Sequence, residues 1–277
     1  MWVIENRHYL GQVTSWSRAE QFGDGVFETL LITDGVAHAL AWHAKRLGHG
    51  LLRLNILPPA ANLERMLGAY IDEMMEHSGL KDGVVKVMVS RGKSARGYGY
   101  DAQTEPCVTV FFSPYIPPKD ALYEHGIEVQ VCATQCSIQQ QLAGLKHLNR
   151  LENVLAKSEL RDDCFEGLMG NYLGLLIEGT MSNVFFEKEA ALYTPDLSLS
   201  GVEGVMRSLI MEYCRGKGIA LHVTHIKMDA LTQFSSAFVC NSVMGVLPIN
   251  TLADHPMAIG SITRQLQMAI RSGDIYA

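Results

Sequence analysis

Apolar residues recur along the chain with two periods, and the period decides which element each stretch should form. Alternating runs predict strands at Trp2–Glu5, Val26–Ile32 and Val36–Leu40, followed by helices over about Trp42–Leu54 and Leu63–His77. The β-branched runs "VVKVMVS" (Val84–Ser90) and "CVTVFFS" (Cys107–Ser113) predict central strands of a sheet. The proline-dense "PYIPPKDA" then reads as an interdomain linker, because it can continue neither helix nor strand. Beyond it the pattern predicts a strand at Ile127–Gln135, a helix over Asn149–Arg161 and short strands near Gly174–Ile177, Asn183–Phe186 and Ala191–Tyr193. A helix from about Gly204 to Arg215, a buried strand at Ser236–Val243 and a closing helix at Ile262–Arg271 complete the series. Strands and helices mix without a regular βαβ rhythm, so the expected class is α+β. The expected division is a smaller N-terminal domain (1–114), a linker (115–121) and a larger C-terminal domain (122–277).

The stretch "GLKHLNRLENVLAKSEL" (Gly144–Leu160) carries more than a helix. Leu148, Leu151 and Leu155 give an apolar stripe at helical spacing, and Asn149 with Glu152 matches a capping box that starts the first turn near Arg150. Lys146 lies just ahead of that start, among Leu142, Leu145 and Leu148. Two readings fit it. The stem can pack on leucines while the ammonium reaches water, or the apolar setting favours the free amine, the form that makes a Schiff base with a carbonyl.

Composition narrows the function. The formal charge is -6 and no Lys/Arg-rich run occurs, which argues against a partner held through nucleic-acid phosphates. No stretch approaches the roughly 18 to 20 apolar residues of a membrane span, and "MWVIENRHYL" places charges where a signal peptide needs an apolar core. The six cysteines are scattered without a CxxC or partner histidines, so reduced thiols and no metal site are expected. A cytoplasmic protein is the expectation.

Three further stretches offer chemistry. Glu178 ends an apolar run in "LLIEGTMSNVFF" (Leu175–Phe186); it either marks a strand end or is a carboxylate carried inward for a cationic partner. "GVEGVMRSL" (Gly201–Leu209) runs a glycine turn into a helix, an ordinary loop or a phosphate site built from first-turn amides. "SRGKSARGYGY" (Ser90–Tyr100) is either a solvated hairpin tip or a loop whose Arg91 and Arg96 admit an anionic substrate.

Taken in order, "QFGDGVFETL" (Gln21–Leu30), "HAKRL" (His43–Leu47), "SRGKSARGY" (Ser90–Tyr98), "GLKHLNRLENVLA" (Gly144–Ala156), "EGTMSNVFF" (Glu178–Phe186) and "GVEGVMR" (Gly201–Arg207) resemble the fold-type IV pyridoxal-phosphate enzymes. That group includes branched-chain aminotransferases, D-amino-acid aminotransferases and 4-amino-4-deoxychorismate lyase. The resemblance implies pyridoxal 5'-phosphate as cofactor, with Lys146 bonded to its aldehyde and Glu178 paired with its pyridine nitrogen. It implies that Arg46 binds the cofactor phosphate, helped by the amides of Val205 and Met206 and by Ser242. It also implies a homodimer whose two domains per chain enclose the cofactor. Asn149-Arg150, where the aminotransferases show Asn-Tyr, looks closer to the lyase, as do "SRGKSARGY" and "GVEGVMR". The implied reaction is elimination of pyruvate from aminodeoxychorismate to give 4-aminobenzoate for folate biosynthesis. Arg96 and Arg150 are then candidate ligands of the two substrate carboxylates, and Thr29 is either pocket lining or a buried strand threonine. A branched-chain or D-amino-acid aminotransferase using the same Lys146 and Glu178 is the alternative. "EGTMSN" fits both, and "CFEGLMGNYLGLL" (Cys164–Leu176) departs from the acidic "EALLLD" strand of the group, a change expected to concern packing.

Overall fold

The computed structural model describes residues 4–5, 8–9, 17–94 and 97–276. The chain forms two compact units, Met1–Ile116 with Leu145–Asn149, and Pro117–Gly144 with Arg150–Ala277.

The first unit is built on an antiparallel sheet. Its strands are β1 (Ile4–Glu5), β2 (His8–Tyr9), β3 (Gly25–Thr33), β4 (Val36–Ala37), β5 (Gly83–Ser90) and β6 (Cys107–Ser113), in the order β2-β1-β6-β5-β3-β4. Of the first expected strand, Trp2 and Val3 lie outside the described residues. Helices α1 (Arg18–Phe22), α2 (Leu40–Arg53) and α3 (Leu63–Ser78) complete the unit. Alternation sends Val26, Leu30, Ile32, Val85, Val87 and Val89 to one face, where they bury against Leu47 and Leu51 of α2 and Leu67 and Ile71 of α3. α3 begins where the Asn62 side chain accepts a hydrogen bond from Arg65 N and ends at left-handed Gly79.

Residues 145–149, expected in the C-terminal domain, pack with the first unit. The cause is backbone pairing: Phe27 N donates to Lys146 O at 2.9 Å and Leu148 N to Gly25 O at 3.0 Å, which lays this segment along the start of β3. Two glycines make the approach possible. A Cβ on Gly25 would lie 2.6 Å from Val89 O and 2.9 Å from a Leu148 methyl, and one on Gly23, whose φ is +62°, would strike the Asn149 amide.

The second unit holds a mixed sheet formed by β7 (Ile127–Val131), β8 (Glu166–Gly170), β9 (Leu176–Gly179), β10 (Asn183–Lys188), β11 (Ala191–Pro195), β12 (Leu221–Thr224), β13 (Ser236–Asn241), β14 (Gly245–Leu252) and β15 (His255–Pro256). The order is β12-β11-β10-β13-β14-β7-β8-β9, with β15 on β14. Pairs β11/β12, β14/β7 and β7/β8 are parallel and the others antiparallel. Helices α4 (Asp120–His125), α5 (Leu151–Ser158), α6 (Val205–Lys217) and α7 (Ser261–Ser272) accompany it. Phe186, Leu168, Val184, Val239 and Leu247 form the core of this unit. The fold is α+β, as the irregular alternation predicts. Part of the proline-rich segment is helical, since α4 begins at Asp120.

The expected capping box does not form. The Asn149 amide donates to Gly23 O at 3.0 Å, Glu152 accepts from Ser137 N at 3.0 Å, and α5 starts at Leu151 without a side-chain cap. The leucine stripe is also turned outward, with Leu151 76% and Leu155 58% exposed. Glu152, Asn153 and Ala156 face inward instead, because hydrogen bonds from that side fix neighbouring loops.

Candidate active site

Each unit carries part of the expected machinery. In the first, β3 divides its residues by alternation. Glu28 faces α2 and is buried, while Phe27 and Thr29 lie on the opposite side of the pleat. The Glu28 carboxylate accepts from Arg46 Nε at 2.9 Å and Nη2 at 2.5 Å, and bonds His43 Nδ1 at 2.6 Å. Burial alone would raise this carboxyl, but the charge of Arg46 and the hydrogen bonds from His43 and Arg46 hold it down at about 2. Burial also lowers His43 below its ordinary value, against the pull of Glu28, which keeps the ring neutral. Arg46 therefore has a fixed direction, set by the fork geometry of its pair with Glu28. Thr29 is half-buried.

Lys146 is half-buried, and its Nζ lies 4.3 Å from the centre of the Phe27 ring. Lys86 Nζ lies 4.8 Å from the same ring, and Lys86 is the cross-strand partner of Thr29. Phe27 thus carries two lysine side chains over its ring, and the second is not among the expected site residues. The signal was present: Lys86 falls between the buried Val85 and Val87, so alternation puts it on the face of Phe27 and Thr29.

The loop "SRGKSARGYGY" divides differently from the expectation. Arg91 is buried and cannot receive a substrate. Its Nε and Nη2 bond the Asp24 carboxylate at 2.8 and 3.2 Å, other N–H groups donate to Asn55 O and Leu54 O, and Tyr100 stacks 3.6 Å from the guanidinium. Arg18 completes the arrangement, donating to Asp24, Ser94 Oγ and the carbonyls of Gly97, Tyr98 and Gly99. Arg96 lies outside the described residues.

In the second unit Glu178 is buried on β9, where its Oε2 accepts from Val202 N at 2.8 Å. After it the chain turns through residues 179–182 into β10. Asn183 then reaches the start of α6: its Oδ1 accepts from Gly204 N at 3.1 Å and its Nδ2 donates to Val202 O at 2.9 Å. Gly204 gives α6 no side-chain cap, so the first-turn amides of Val205 and Met206 have no intrahelical acceptor and form the positive end of the helix. Arg207 secures this start by donating to Pro195 O at 3.1 Å. Arg150 is half-buried, with the charges of Glu178 and Glu152 opposing the effect of burial on its guanidinium, and its Nη1 contacts Asn153 Oδ1 at 3.4 Å. Ser242 sits in a turn that Asn241 Oδ1 stabilises by accepting from Val243 N and Met244 N, both at 2.9 Å.

The second unit therefore brings Glu178, Arg150, Ser242 and the α6 amides into one hydrogen-bonded frame, and the first brings Lys146, Thr29 and Arg46 around β3. A buried carboxylate suits a protonated ring nitrogen and uncapped helix amides suit a phosphate, so Glu178 and the α6 amides of the second unit fit the expected cofactor. Among the described residues no cluster of His, Cys, Asp or Glu could hold a metal ion, and all six cysteines are buried free thiols.

The family model for amino-transferase class IV matches residues 25–252. The aminodeoxychorismate lyase of Vibrio harveyi is 34% identical over 259 residues, covering 90% of this chain and 92% of that protein. D-alanine aminotransferase of Bacillus licheniformis is 26% identical over 259 residues, covering 92% and 89%. The crystal structure of 4-amino-4-deoxychorismate lyase from Pseudomonas aeruginosa superposes with a TM-score of 0.90 at 34% identity, covering 98% of both chains. The matched span takes in every expected site residue from Thr29 to Ser242, and the chain belongs to the class IV amino-transferase family.

Proposed function

We propose that this chain is a pyridoxal-phosphate-dependent 4-amino-4-deoxychorismate lyase that releases 4-aminobenzoate and pyruvate for folate synthesis. The greater likeness to the lyases than to the aminotransferases carries the choice between the two reactions. The partial burial of Arg150 beside Glu178, at a position where the aminotransferases show tyrosine, supports it.

When bound, pyridoxal phosphate supplies an aldehyde that captures the substrate amine and a ring that withdraws electrons from the amine-bearing carbon. Lys146 would hold the cofactor through its aldehyde, and as a free amine it would act as the base that takes the proton from the amine-bearing carbon of the substrate. With that proton removed the electron pair would expel the oxygen on the neighbouring carbon, and the ring of the product would become aromatic. The enolpyruvyl group would leave as the enolate and take up a proton, the equivalent of the one Lys146 removed, to become pyruvate. Glu178 keeps the cofactor nitrogen protonated. Arg46, the amides of Val205 and Met206 and Ser242 bind the phosphate. Arg96 and Arg150 are the cations for the two substrate carboxylates, with Thr29 lining the pocket.

We place the enzyme in the cytoplasm as a homodimer. The exposed Leu151, Val154 and Leu155 of α5 support a second copy, because such an apolar face is costly to leave in water. The reading is tested by Lys146→Ala, which should lose the visible absorbance of the bound cofactor and leave cells dependent on added 4-aminobenzoate. Retention of both the absorbance and growth would refute the role of Lys146.

A further inference from the structure

We propose that Glu166 is a positioning residue for the cofactor, acting through the turn that follows Glu178; this rests on the reading that Glu178 pairs with the cofactor ring. Glu166 opens β8 and is completely buried. Its Oε1 accepts from Gly167 N at 2.9 Å, Thr180 N at 3.0 Å and the Thr180 hydroxyl, and its Oε2 from Ser182 Oγ at 2.7 Å and Met181 N at 3.3 Å. Four of these five donors belong to residues 180–182, so one carboxylate sets the shape of that turn. The turn has no slack: a Cβ on Gly179 would lie 2.3 Å from Ser182 Oγ and 3.0 Å from the Glu166 carboxylate.

The outward carbonyls of the same turn are also taken. Asn153 Nδ2 donates to Thr180 O at 3.0 Å, and Asn153 is the residue that Arg150 contacts. Asn241 Nδ2 donates to Met181 O at 3.1 Å, and Asn241 shapes the turn holding Ser242. Directly before the turn stands Glu178, and directly after it Asn183, which holds the start of α6. Every candidate cofactor contact of the second unit is therefore tied to the turn that Glu166 organises. The "CFEGLMG" segment is thus relevant to cofactor geometry as well as to packing. Three of the five partners are backbone N–H groups that can only donate, and a carboxylate meets all three while accepting from both hydroxyls. A glutamine whose N–H group replaced Oε2 would oppose Met181 N, although Ser182 Oγ could accept from it.

The test is Glu166→Gln in the cofactor-loaded enzyme, read by the dissociation constant for pyridoxal phosphate and by the visible circular dichroism of the bound cofactor. Affinity should fall by about tenfold or more, as for other outer-shell partners, and the dichroic band should change. Glu187→Gln is the control. That buried carboxylate accepts from Ile262 N, Thr263 N and Thr263 Oγ1 at the start of α7, and its loss should lower thermal stability without changing either readout. Ser182→Ala, which removes one donor and leaves the carboxylate, should weaken affinity in the same direction and decides the matter if Glu166→Gln does not fold. Unchanged affinity and dichroism in whichever of these variants folds overturn the proposal. Glu178→Gln separates the underlying reading: if it leaves the cofactor spectrum unaltered, the Glu178 assignment fails, whatever Glu166→Gln does.

Discussion

Glu28 sits between an arginine and a neutral histidine, and the consequence is a pH-dependent contribution to stability. Its carboxyl titrates at about 2 in the fold, against roughly 4.3 in an unfolded chain. As pH falls, the unfolded state takes up the proton first, so the contribution is complete above about pH 4.5 and is lost toward pH 2, on the order of 3 kcal/mol in all. His43, whose value burial lowers, works in the same direction beginning near pH 6.5, because only the unfolded chain protonates it there. Urea unfolding at pH 7, 5 and 3 should show falling stability, with a shallower fall in Glu28→Gln; equal slopes in the two proteins would remove Glu28 as the cause. The apolar setting of Lys146 could be read from sequence because its leucine neighbours are local, whereas its chemical role rests on the family resemblance. Arg91 was not, because the carboxylate that claims it is 67 residues away, and no local pattern distinguishes an arginine that receives a ligand from one that braces a loop.

At the scale of elements, residues 91–94 and 97–100 are held by side chains and depend on them. Arg18 and Arg91 are both buried and share Asp24, so Asp24→Ala leaves two guanidinium groups without their common partner. A loss of about 3 to 5 kcal/mol is expected, with faster proteolysis near residues 91–100, by comparison with other broken buried pairs. A change under 1 kcal/mol in denaturant unfolding would show the cluster to be dispensable. Strands with clear alternation, such as β3, β5 and β6, could be read from sequence within a residue or so. β8 and β14 could not: "EGLMG" has two glycines and "GVLPINTL" a proline, residues with poor strand preference, and tertiary burial overrides that preference. α5 lies inside the expected Asn149–Arg161 helix but is shorter at both ends, Leu151–Ser158, and is rotated, since its inward face is chosen by hydrogen bonds to loops distant in sequence.

For the whole molecule, the mixture of elements gave the α+β class from the pattern alone, and the order of six motifs gave the family. The partition into two units is less direct, because residues 145–149 join the first unit through strand pairing that no linear boundary reveals. Association is testable at the same scale. Light scattering during gel filtration should report a dimer, and replacing Leu151, Val154 and Leu155 together with serine should shift it toward monomer; a monomeric parent protein would exclude the homodimer. The reaction itself is tested most directly by incubating the cofactor-loaded protein with aminodeoxychorismate. A lyase yields stoichiometric 4-aminobenzoate and pyruvate. Absence of both products, together with pyridoxamine phosphate formation from an amino-acid donor, would contradict that activity and make the chain an aminotransferase.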